Sequence, residues 1–65
     1  MTPTQYRDAI SRLGLSQVRA ARFLGVDPRT SRRWALGEIP IPKAIGMFLY
    51  LLLNGALKPE DLENL

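Results

Sequence analysis

Apolar positions in this chain recur at helical spacing, and no alternating strand pattern appears. Tyr6, Ala9, Ile10 and Leu13 form one stripe, preceded by Thr2-Pro3 as cap and first helical residue and followed by Gly14. A first helix is therefore expected over roughly residues 3–13. Ser16 is the next cap, and Gln17 to Leu24 read as a second helix. On it Ala20, Ala21 and Leu24 share a face with Gln17, while Arg19 and Arg22 lie opposite. Gly25 ends that helix, and only Val26 separates it from the start signal Asp27-Pro28, so the chain must turn sharply. Over residues 28–36, steps of 100° put Thr30, Ser31, Trp34 and Ala35 on one side and Arg29, Arg32 and Arg33 on the other.

Gly37 closes the third helix, and Glu38-Ile39-Pro40-Ile41-Pro42 reads as a stiff extended connector, because residues before proline avoid helix. A fourth helix is expected from Pro42 to about Asn54, with Gly55 as its stop. It is apolar nearly all round. A short last helix is expected from Pro59, with Leu62 and Leu65 apolar and Glu60, Asp61 and Glu63 acidic. The fold class is therefore all-α, with four to five short helices in one domain spanning 1–65. Within it, 16–37 is a helix-turn-helix unit, 42–54 a dimerisation helix and 56–65 an acidic C-terminal segment.

A chain of 65 residues buries only about 60% of its unfolded surface, so its helical core needs every apolar contact it can make. There is no cysteine to cross-link it. With no histidine either, zinc would require an all-carboxylate site, so no metal or other cofactor is expected. Catalysis would rest on scattered carboxylates, lysines or hydroxyls without a paired spacing, and the chain does not read as an enzyme. The first ten residues lack a signal-peptide pattern. The most apolar run, Ala44 to Leu53, is about half the length needed to cross a bilayer. A cytoplasmic protein is the expectation.

Net charge is +3, but its distribution is uneven: residues up to Lys43 carry +5 and the remainder −2. That asymmetry suggests one part facing a polyanion and another turned away from it. Like charges one turn apart on the third helix mildly destabilise it, which suggests that something outside the chain uses Arg29, Arg32 and Arg33. A helix is about the width of the DNA major groove, and arginine matches guanine O6 and N7 with two hydrogen bonds.

Gln17, Ala21, Gly25, Val26, Thr30 and Trp34 stand at the spacing of the Cro-like phage-repressor, or XRE-type, helix-turn-helix proteins. The resemblance covers roughly residues 5 to 53 and is sharpest from Ser16 to Gly37. It implies a lambda-repressor-like DNA-binding domain whose third helix reads bases through Arg29 and Arg33, with Arg32 flanking. It also implies backbone contacts from Gln17 beside the amides near Ser16, from Thr30, and from Lys43 at the start of helix four, with Arg19 placed suitably. Ser31 departs from the family, which usually has a β-branched apolar residue there. A bulky neighbour such as Trp34 is expected to fill that space.

Met47, Tyr50, Leu51 and Leu57 exceed what so small a core absorbs beside Ile45, Phe48, Leu49 and Leu52. An uncovered patch of this kind marks an interface, and a two-fold homodimer would present two recognition helices to a palindromic operator with guanine in each half-site. The alternative cover is the acidic C-terminal segment folded back over it. The expected function is a sequence-specific double-stranded DNA-binding regulator, most simply a dimeric autorepressor of a small phage or mobile-element operon. The competing reading is a protein-interaction module, antitoxin-like or polymerase-binding, that uses helix 42–54 and keeps the helix-turn-helix as scaffold. No membrane partner or small-molecule ligand is indicated.

Overall fold

A computed structural model describes residues 1–55; the expectations for Leu57, the helix from Pro59 and the acidic segment 56–65 lie outside the described residues. Four helices follow one another: α1 (Pro3–Arg12), α2 (Gln17–Leu24), α3 (Pro28–Leu36) and α4 (Lys43–Leu53). The described residues are all-α, with no strand among them. None of these helices is long and apolar enough to cross a membrane.

The caps explain why the helices begin and end where they do. At α1 the Gln5 amide donates to Thr2 Oγ1 (3.1 Å) while the Thr2 amide donates to Gln5 Oε1 (2.8 Å), a reciprocal capping box. Ser16 Oγ accepts from the Arg19 amide at 3.1 Å, and Asp27 Oδ1 from the Arg29 amide at 2.8 Å. α2 and α3 close alike. Gly25 and Gly37 take left-handed φ angles of 72° and 75°, and the next amides, Val26 and Glu38, donate back to Ala21 and Arg33 at 2.9 Å each. Gly37 is doubly constrained, since a Cβ there would stand 3.1 Å from Pro3 Cγ. α1 stops at Arg12 with Leu13 as its cap, and α4 runs from Lys43 with Pro42 and Asn54 as caps, each within a residue of expectation.

The core collects the apolar stripes: Tyr6, Ala9 and Ile10 from α1, Ala20 from α2, Trp34 and Ala35 from α3, Leu49 and Leu52 from α4. Buried Ala20 and Ala21, short side chains on the inner face of α2, let α3 approach closely. Trp34 meets the Tyr6 ring edge-on, with centroids 5.8 Å apart and planes at 79°. Phe23 and Phe48, 6.0 Å apart, join α2 to α4.

At Ser31 the structure adds a contact that the sequence did not indicate. The Tyr6 hydroxyl reaches in from α1 and bonds Ser31 Oγ at 2.6 Å, both residues being fully buried. A hydroxyl pair therefore occupies the place of an apolar contact. This replacement is sound because no buried side-chain polar atom among the described residues lacks a partner.

Burial raises the Tyr6 pKa above its ordinary 10, and the bond to Ser31 offsets part of that rise. Above pH 10 the unfolded chain releases this proton while the folded chain holds it, so stability falls as pH climbs toward the folded value. Tyr6→Phe removes that dependence. At neutral pH it should cost about 1 kcal/mol through the lost hydrogen bond. Paired urea melts from neutral to about pH 11 should show the gap between wild type and variant narrowing. A gap independent of pH would contradict this account.

Candidate nucleic-acid interface

α3 has two unlike faces. Inward, Ser31, Trp34 and Ala35 are buried against α1 and α2, so the helix cannot roll. Outward, Arg29, Arg32 and Arg33 are exposed and line one shallow concavity together with Leu36 and Glu38. The reading of α3 from its 100° steps is therefore realised, and its three arginines are brought together. Arg29 and Arg32 form no ion pair among the described residues.

Two carboxylates lie near this face. Asp27 holds the α3 amino end through the Arg29 amide. Glu38, the first residue of the connector, approaches Arg33 Nε at 3.7 Å, with both side chains about half exposed. Pairs of that kind are screened by water and contribute little, so Arg33 can exchange Glu38 for another acceptor. The signal for this contact was the left-handed closure at Gly37, which folds residue 38 back onto the last turn.

On α1 the basic residues are already engaged. Arg7 donates to the Ala35 carbonyl near the carboxyl end of α3, where a cation is favoured by the helix dipole. Arg12 pairs with Asp8 at 2.9 Å. Among the described residues, the cationic side chains with neither a hydrogen bond nor an ion pair are thus Arg19, Arg22, Arg29, Arg32 and Lys43, on α2, α3 and the start of α4.

Of the backbone-contact candidates, Ser16 and Arg19 are exposed at the amino end of α2, while Gln17 and Thr30 are half-buried. Gln17 is tied to α3, because its Oε1 accepts from Ser31 Oγ at 3.0 Å. Lys43 is exposed, but it lines a different groove, shared with Met1, Gln5 and Asp8 on the α1–α4 side.

That second groove carries the apolar surplus of α4. Met47, Tyr50 and Leu51 are 59%, 65% and 44% exposed, and Leu53, which the pattern did not single out, is also exposed. Leu49 and Leu52 turn into the core, so α4 is two-faced although its composition is apolar all round. Among the described residues no group of three His, Cys, Asp or Glu side chains could hold a metal ion. No protein-family model, curated protein or solved structure matches this chain.

Proposed function

We propose that this chain is a sequence-specific double-stranded DNA-binding regulator of the Cro-like, XRE-type helix-turn-helix kind, most simply a repressor acting on a small phage or mobile-element operon. The observation that carries this reading is the triad Arg29, Arg32 and Arg33 on the free face of a helix locked on its other side. A helix held against rotation presents guanidinium groups in fixed register, which is what discrimination between base edges requires. Ser16, Gln17 and Arg19 at the amino end of α2 supply the phosphate contacts that set that register. Repression follows by occlusion, since a domain of this size on a promoter excludes other proteins from it.

Selection from a random duplex library with the full chain tests this directly. Recovery of one guanine-containing consensus, and protection of such a site upstream of the chain's own gene, is the expected result. Enrichment of no sequence would leave the helix-turn-helix as scaffold.

A second copy of the chain is the proposed cover for Met47, Tyr50 and Leu51. A two-fold contact there would set two α3 helices about 34 Å apart, one turn of DNA. Leu51→Glu buries a charge in such an interface. Sedimentation should then shift from dimer to monomer, and affinity for the palindrome should fall far more than affinity for a half-site. Unchanged sedimentation would remove this face from the interface.

A further inference from the structure

Tyr6, Ser31 and Gln17 form a continuous hydrogen-bonded chain across three helices, and its direction follows from chemistry. Gln17 Oε1 can only accept, so at 3.0 Å the single hydroxyl proton of Ser31 goes to it. Ser31 Oγ is then left as the acceptor at 2.6 Å, and the Tyr6 hydroxyl must be its donor. Tyr6 and Ser31 are fully buried, which shields the link between them from competing water, while the link from Ser31 to Gln17 is part-buried. Every proton in the chain therefore points from α1 through α3 toward α2.

We propose that Tyr6 and Ser31 are positioning residues that hold the Gln17 carboxamide with its nitrogen turned outward, as a donor to a DNA phosphate oxygen. The proposal rests on the DNA-binding reading above. With Oε1 engaged at the buried end, the Nε2 group occupies the other branch of the amide and forms no hydrogen bond among the described residues. Beside it the first backbone amides of α2 lack intrahelical acceptors, apart from that of Arg19, which Ser16 caps. The end of α2 thus presents donors alone, the complement of an anionic oxygen. Donation into Oε1 also polarises the amide and strengthens its N–H groups as donors. An aliphatic residue at position 31 could not do this, so the serine that looks out of place in the core acquires a role at the surface.

The test has a DNA-free arm and a binding arm. Removing both hydroxyls together in Tyr6→Phe/Ser31→Ala avoids stranding a fully buried hydroxyl and leaves only Gln17 Oε1, on a half-buried residue, for water to solvate. In the free wild-type protein, 15N relaxation of the Gln17 side-chain amide should give an order parameter near that of rigid backbone, about 0.85; in the double variant it should fall below about 0.6. Equal order in the two proteins overturns the proposal.

In the binding arm, the probes are a labelled random-sequence duplex and the duplex recovered by selection. The double variant should bind both about three- to tenfold more weakly, with an unchanged salt slope because no charged contact is lost. In a Gln17→Ala background the same pair of substitutions should have no effect, since the group they orient is gone. An equal loss in both backgrounds means the hydroxyls act only through the fold and overturns the role. If wild type binds neither duplex, the DNA reading falls and the phosphate role with it. The relaxation result still shows separately whether the side chain is held.

Discussion

Alanine at Arg29 and Arg33 together should abolish discrimination between the selected duplex and a scrambled one. Each bidentate contact to guanine contributes about 1–3 kcal/mol of discrimination, so roughly ten- to hundredfold should be lost at each of two base positions. The fold should survive, because both side chains lie on the outer face of α3 and the nearest ion pair, Arg33 to Glu38, is half exposed. Anisotropy titrations of both duplexes with the single and double variants give the measurement. The single variants should each relax one base position. A double variant that protects the selected site like wild type would show that α3 does not read the DNA.

Trp34→Ala should be the most damaging single substitution for the fold itself. Trp34 is 4% exposed, its ring stands edge-on against Tyr6, and it joins α3 to α1. Truncating a buried tryptophan costs about 3–5 kcal/mol. A domain of this length has only about 3–10 kcal/mol in total. Much of the population should therefore be unfolded at physiological temperature, with thermal denaturation followed by circular dichroism starting from a sloping, helix-poor baseline. Trp34→Phe should retain a cooperative transition at reduced temperature. A Trp34→Ala protein melting within a few degrees of wild type would mean that α1 and α3 are held together by something else.

Most of the helical framework was legible in the residue pattern because its punctuation is strong. Thr2-Pro3, Ser16 and Asp27-Pro28 are starts with side-chain oxygens that accept an amide, and Gly25 and Gly37 are stops that adopt positive φ. These are local interactions, decided within four residues, and the ends of α2 and α3 fell where they pointed. The arginine face of α3 was legible for the same reason: helical periodicity alone separates it from Ser31, Trp34 and Ala35.

Other features were not local. Glu38 read only as the first residue of the connector, because the closure that carries it back to Arg33 is a three-dimensional property of the Gly37 turn. Lys43 could be assigned to the start of α4 but not to a groove; the connector delivers it to the one lined by Met1, Gln5 and Asp8. The surplus of α4 was legible as Met47, Tyr50 and Leu51 against Leu49 and Leu52, but the exposure of Leu53 in the same apolar run was not.

Ser31 marks the division most sharply. By itself the sequence determined four helices, their caps and the outward set of arginines, because hydrogen bonding within a turn and a 100° rotation per residue need no knowledge of the rest of the chain. Tyr6 was read as one member of an apolar stripe and Ser31 as an irregularity in another. Only the tertiary structure brought the two, 25 residues apart, to 2.6 Å and extended the contact to Gln17. Burying a hydroxyl is unfavourable until a partner is found, and that partner came from a different helix.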